Sequence, residues 1–168
     1  NASFENPDEY SHPYDWELIT SGEFKSSGDY YYEGFLSGTF TTLTSSIGGR
    51  EIISSPVEIT PGKMIVVSGR VYIPYIDYST PERIRTGYKL YFFTNEECTI
   101  PASTTYSTMA KVSLKEQGVW ETVSYYQTAE RIPTDAKFLR IGLRACYDKD
   151  SGGTKYDAVY FDRISLQQ

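Results

Sequence analysis

Residues 64–73 read MIVVSGRVYI, and their alternation constrains the fold more than any other stretch of the chain. Ile65, Val67, Gly69, Val71 and Ile73 fall on one face, and Val66, Ser68, Arg70 and Tyr72 on the other. A period of two is that of a strand with one buried face. The pattern returns in residues 155–166, KYDAVYFDRISL, where Val159 and Phe161 are two apart, as are Ile164 and Leu166. Between these pairs the phase slips by one residue at Asp162-Arg163, which predicts a β-bulge. A final strand that is apolar on one face must pair with something earlier, so the chain closes on itself.

Helical periodicity is nearly absent from the rest. Short runs rich in Val, Ile, Thr, Tyr and Phe are bounded by Gly, Pro, Ser and Asp. Residues 1–5 read as an opening strand stopped by Asn6-Pro7, and 14–19 as a strand around Trp16. A Thr-rich strand covers 34–44, and 52–59 is a strand that Pro56 breaks into an edge or bulge. Thr60-Pro61-Gly62-Lys63 has the type II turn chemistry, with Pro second and Gly third. A loop over 75–85 leads to a strand at 87–94, and 98–106 is irregular. Strands follow at 108–114, 120–127 and 138–147, and the 148–153 loop leads into the last strand. This amounts to about nine or ten short strands at the spacing of an all-β sandwich or barrel. No internal repeat or linker interrupts it, so residues 1–168 read as one domain.

Charge and composition exclude several classes of function. A net charge of −6 argues against a nucleic-acid or anionic-membrane partner, either of which needs a basic patch. No apolar run approaches the ~20 residues of a membrane span. Beginning at Asn1 without Met, the sequence reads as an excised module or a mature product. Cys98 and Cys146 allow one disulfide or two thiols equally. His12, the sole histidine and the one a triad or Cys-His pair would have to use, reads as a solvated residue of a polar loop, and no G-x-S-x-G elbow is present. Zinc spacing and phosphate-binding glycine patterns are missing. Asp148-Lys149-Asp150-Ser151-Gly152-Gly153 fails as an EF-hand loop, because Gly152 occupies the fifth position and Val159 the closing one. Acidic residues fall mostly in turns, where solvation accounts for them, so no enzymatic activity is expected.

Several segments in order carry a resemblance: N-x-S-F-E at the start, E-G-F-L-S-G in the thirties, and I-T-P-G-K-M-I-V-V-S-G-R-V. G-V-W-E-T-V-S, P-T-D-A-K-F-L-R-I-G-L and V-Y-F-D-R-I-S-L follow. Together they resemble the carbohydrate-binding modules of the related families 4, 9, 16 and 22. That resemblance implies a jelly-roll β-sandwich, a glycan lying across an aromatic-lined sheet, and a structural Ca²⁺ near the chain termini. It implies Glu5, Gly34 and Asp162 as metal ligands, Gly34 through backbone carbonyls, in keeping with the oxygen preference of Ca²⁺. Arg163 stands where that family often has a second acidic residue. By residue chemistry alone, Glu5 and Asp162 read as exposed charges. The resemblance also makes Trp16 and Trp120 structural, packed in or beside the core.

Tyrosine is the outlier of the composition, at 16 residues. A sheet face mixing Tyr with Arg and Ser suits a pyranose: rings stack on its C–H faces while guanidinium and hydroxyl groups bond its hydroxyls. Arg70, Tyr72, Tyr91, Tyr126 and Arg144 are the expected ligand face, with Tyr75, Tyr78 and Tyr147 at the loop rim. Each Tyr also reads as an ordinary strand residue. The expectation is a monomeric, non-catalytic module of a larger secreted or cell-surface protein, such as the accessory domain of a glycoside hydrolase. It would bind a polysaccharide or cell-surface glycan and target that protein to it. The alternative is an adhesion sandwich in a phage tail or surface protein.

Overall fold

The computed structural model describes residues 4–5, 7, 13, 15–18, 24–41, 50–74, 84–103, 112–113, 118–147 and 158–168. Within them the alternating segments become β1 (Trp16–Leu18), β2 (Phe24–Ser27), β3 (Ser37–Phe40), β4 (Arg50–Ser54), β5 (Val57–Glu58) and β6 (Ile65–Tyr72). After these come β7 (Ile84–Phe93), β8 (Val112–Ser113), β9 (Glu121–Gln127), β10 (Phe138–Tyr147) and β11 (Val159–Gln167). A six-stranded sheet runs β1-β4-β10-β7-β8, with β5 also pairing β10, and a five-stranded sheet runs β2-β3-β11-β6-β9. Every pairing is antiparallel. From β5 to β6 to β7 and from β8 through β11 the chain crosses between the sheets, as in a jelly roll.

The inner faces meet in one apolar core. Leu90, Phe92, Leu139 and Leu143 come from the six-stranded sheet, and Ile65, Val67, Val71, Val123 and Phe161 from the five-stranded one. Fully burying side chains of this size contributes about 1.5–3 kcal/mol each. At the end where the chain begins, Phe4 stacks on Trp16 with ring centroids 5.6 Å apart, and Phe24 meets Phe40 edge-on at 4.7 Å. Trp16 is therefore a core residue, as the sequence suggested.

The strand at 64–73 is found as read, with alternate residues buried. β4 ends at Ser54 and β5 resumes at Val57, with Ser55-Pro56 as the break, and Gly62 takes the positive φ of 79° that its turn requires. β2 was not anticipated, because FKSS has a single apolar residue and shows no period. Phe4 and Glu5 lie in a bend, residues 1–3 fall outside the described set, and the Thr-rich strand begins only at Ser37. The two cysteines are not joined in a disulfide: Cys146 is buried in β10, and Cys98 lies in the turn after β7 with φ 51°. His12 and the 148–153 loop also lie outside the described residues.

The phase slip in β11 is a bulge. Asp162 pairs with Arg70, pairing resumes at Ser165 with Ser68, and Arg163 takes φ 51° between them. Two residues, Arg163 and Ile164, thus face Gly69 alone; Arg163 turns outward and Ile164 is buried. A Cβ on Gly69 would stand 2.4 Å from Ile164 Cδ1 and 2.7 Å from the Tyr88 hydroxyl, which donates to the Val123 carbonyl at 3.0 Å. The missing side chain at position 69 is the space that the bulge fills. Gly69→Ala is therefore expected to destabilise the fold by about 1–3 kcal/mol, the usual cost of overpacking. An unchanged urea midpoint would contradict this packing account.

Candidate functional site

The outer face of the six-stranded sheet carries a polar cluster built by register. Gly142 of β10 sits between Ile53 of β4 and Lys89 of β7, Arg144 between Glu51 and Gly87, and Arg140 beside Tyr91. The bare Gly142 leaves a floor: a Cβ there would lie 2.6 Å from Glu51 Oε1 and 3.2 Å from Tyr91 Cε2. Across this floor the Tyr91 hydroxyl donates to Glu51, and Lys89 Nζ sits 4.5 Å from the Tyr91 ring centre and 3.9 Å from Glu51 Oε2. Arg140 donates from Nε to the Ser54 carbonyl at 2.6 Å and pairs with Glu17 at 2.8 Å.

Glu51 is only 4% exposed although it points away from the core, so its carboxylate is held within the sheet surface by its neighbours. Burial pushes the Tyr91 hydroxyl far above its usual range; the hydrogen bond to Glu51 and that carboxylate's charge add to the shift, and Arg144 opposes it. The cluster thus offers an aromatic ring and three cationic donors on one surface, held in place by the buried carboxylate. That is a set able to bond several hydroxyls of a flat ligand at once.

The expected ligand residues do not form one surface. Tyr91 and Arg144 share the cluster just described, whereas Arg70, Tyr72 and Tyr126 lie on the other sheet, facing the opposite way. The strand parity was read correctly, but parity does not say which sheet a strand joins. Tyr126 is 63% exposed on β9, opposite Val66. Tyr147 ends β10 opposite Ile84, and Tyr75 and Tyr78 lie outside the described residues. Glu51, Lys89, Arg140 and Gly142 were not in the expected set. Alternation had already placed the last three on the polar side of their strands; Glu51 was lost by starting its strand at residue 52.

Arg70 and Tyr72 instead join an aromatic row. Tyr30 stacks on Tyr72 at 4.7 Å and meets Tyr160 at 5.1 Å. Trp120 lies 5.2 Å from Tyr72 and 5.9 Å from Tyr32, and the Arg70 guanidinium sits 4.4 Å over the Tyr32 ring. Trp120 is therefore a half-exposed member of this row and does not enter the core cluster.

Glu5, Gly34 and Asp162 meet at the segment joining β2 to β3. Asp162 Oδ2 accepts from the Tyr32 and Glu33 amides at 2.7 and 3.1 Å, and Oδ1 from its neighbour Arg163 at 2.6 Å. Glu5 accepts from the Phe35 amide at 3.0 and 3.1 Å and from Leu36 at 3.1 Å. Gly34 lies between with φ 83°, and a Cβ on it would come within 2.2 Å of Glu5 Oε1, so only glycine fits. Asp162 is 5% exposed, contrary to the reading of a surface charge, while Glu5 is exposed. Burial raises the Asp162 carboxyl above the usual range, the three amides oppose this, and Glu5 adds to it. Among the described residues no group of three or more His, Cys, Asp or Glu side chains is placed to hold a metal.

No protein-family model matches the chain, and no curated protein matches it. Solved structures do share its fold. The CBM22-1 xylan-binding domain of Paenibacillus barcinonensis Xyn10C aligns over 99% of this chain and 90% of its own, at 13% identity and a TM-score of 0.58. TmCBM61, solved with β-1,4-galactotriose, aligns over 100% and 95% at 12% identity and a TM-score of 0.61. The enzymatically active domain of Bacteriophage CBA120 tailspike protein 4 matches 99% of this chain with 21% of its own, at 9% identity and a TM-score of 0.60. These likenesses show the antiparallel β-sandwich that carbohydrate-binding modules have.

The cluster over Gly142 has a measurable energetic signature. Tyr91→Phe removes the hydroxyl that satisfies a buried carboxylate, so it is expected to cost about 1–3 kcal/mol in urea unfolding. A midpoint equal to that of the unmodified protein would show that Glu51 does not depend on Tyr91.

Proposed function

We propose that the chain is a non-catalytic carbohydrate-binding module that holds a polysaccharide across the outer face of its six-stranded sheet. The Glu51–Tyr91–Lys89 cluster on the Gly142 floor carries the reading. A pyranose laid on this surface meets an aromatic ring for its C–H face, while the Lys89, Arg140 and Arg144 cations bond its hydroxyls and the buried Glu51 carboxylate holds Tyr91 and Lys89 in place. The sandwich is also the scaffold on which the xylan-binding domain and TmCBM61 are built, which supports the reading without naming the sugar. Residues 1–168 would act as one monomeric module of a larger secreted or cell-surface protein, directing it to its glycan. A second reading, adhesion within a phage tail, has the likeness to the tailspike domain in its favour; a glycan-binding module in a tail would satisfy both.

Calcium belongs to the same proposal as a structural ion. Glu5 and Asp162 would supply carboxylate oxygens and the Gly34 segment backbone carbonyls, the hard oxygen donors Ca²⁺ takes. The fit rests on two carboxylates meeting one short segment, Asp162 at residues 32–33 and Glu5 at 35–36, with Glu5 filling the side-chain space of Gly34 between them. With two acidic ligands, the remaining coordination would fall to carbonyls and water. The ion's contribution would be to neutralise the repulsion between the two carboxylates.

Affinity gel electrophoresis against soluble glycans, xylan and β-1,4-galactan among them, tests the binding reading. Retardation by at least one glycan is expected, weakened about tenfold in affinity by Tyr91→Ala. No retardation by any glycan, with or without Ca²⁺, would overturn it. For calcium, EDTA is expected to lower Tm in the wild type, and Asp162→Ala to lower Tm and abolish its dependence on Ca²⁺. Unchanged wild-type stability in EDTA would remove the ion from the account.

A further inference from the structure

The aromatic row on the five-stranded sheet is not used by the site proposed above, which lies on the opposite face of the sandwich. Its members Tyr30 and Tyr32 are 39% and 40% exposed, and Tyr31 and Phe35 on the same segment are 49% and 78% exposed. None of these four belongs to the core cluster, so the core's packing does not require them. Contiguous exposed apolar surface on a soluble protein marks a contact site more often than it marks nothing.

The row is also pre-organised. Asp162 fixes the Tyr32 and Glu33 amides, Glu5 fixes those of Phe35 and Leu36, and the Ser37 hydroxyl donates to the Tyr30 carbonyl at 2.5 Å. Tyr30 is further held by Tyr72 and Tyr160, and Tyr32 by Trp120 and Arg70. Arg70 in turn donates to the Thr122 hydroxyl at 2.5 Å. Aromatic side chains fixed before a ligand arrives lose little entropy on binding it.

We infer that this row is a second glycan site, which takes a neutral pyranose chain on the face opposite the first. Its chemistry is that of sugar recognition: ring faces for C–H stacking and tyrosine hydroxyls for hydroxyl groups. Neutrality follows from charge. Glu5, Glu33 and Asp162 gather at the segment that carries the row, Arg163 is paired with Glu33 at 3.1 Å, and Arg70 is engaged by Tyr32 and Thr122. A uronate or sulfated chain would meet like charge there. Two sites on opposite faces make one module able to bridge two glycan chains.

Affinity gel electrophoresis on neutral xylan and β-1,4-galactan, comparing wild type, Tyr91→Ala, Trp120→Ala and the double variant, separates the two faces. At least one glycan is expected to retard each single variant, and neither glycan the double. Trp16 is buried, so Trp120 serves as the reporter in Tyr91→Ala, and saturating glycan is expected to shift its fluorescence. Tyr32→Ala alters an exposed side chain and guards against a folding defect at Trp120; it is expected to weaken this second site about tenfold. The inference is overturned if Tyr91→Ala alone abolishes all retardation, leaving the first site intact as the only one. It is overturned together with the first site if the wild type is not retarded at all. Concentration-dependent dimerisation that Phe35→Ala disperses would assign the row to contact between copies and also overturn it.

Discussion

Two carboxylates from opposite ends of the chain grip one short segment, and much of the five-stranded sheet depends on that grip. Glu5 and Asp162 accept amide hydrogens along residues 32–36, so the segment between β2 and β3 is fixed by groups roughly thirty and one hundred and thirty residues away in sequence. Such contacts are costly to close and add stability only once the sheet exists. Buried carboxylate–amide bonds offset the desolvation of Asp162, and the left-handed Gly34 lets the backbone pass close to Glu5. Without the grip, the backbone under Tyr32 and Phe35 would lose its ties to Glu5 and Asp162, leaving the ring contacts of Tyr30 and Tyr32 to hold the row.

The bulge in β11 makes the grip possible. A regular strand would carry Asp162 and Ile164 on the same face. The extra residue at Arg163 instead keeps Asp162 beside segment 32–36 and turns Ile164 into the core over Gly69. One irregularity thus serves two ends, a polar tie on the outside and an apolar filler within. On the other sheet a second glycine has the converse role: Gly142 opens the outer surface so that Tyr91 and Glu51 can meet across it.

Much of this was legible in the residues. The alternation in β6, the break at Pro56, the turn at Gly62 and the slip at Asp162-Arg163 are local, and local sterics decide them. Strand parity likewise separated Lys89 and Tyr91 from Leu90 and Phe92, and Arg140 and Arg144 from Leu139 and Leu143. What parity cannot supply is partnership between distant strands. Arg70 and Arg144 look equivalent along the chain yet belong to opposite faces, because β6 pairs with β9 and β11 while β10 pairs with β4 and β7. β2 escaped notice because its burial is decided by Phe4 and Phe40 around Phe24. Trp120 read as structural, in or beside the core, through the resemblance; its ring neighbours are Tyr32 and Tyr72, and only the fold brings them together.

The central claim is that glycan binds across the six-stranded sheet, over Gly142. Backbone amide chemical shifts followed by NMR during titration with a soluble glycan that retards the protein test it most directly. Perturbations concentrated at Glu51, Lys89, Tyr91, Gly142 and Arg144 are the predicted result. Perturbations confined to the five-stranded sheet, with those five amides unmoved at saturation, would contradict it.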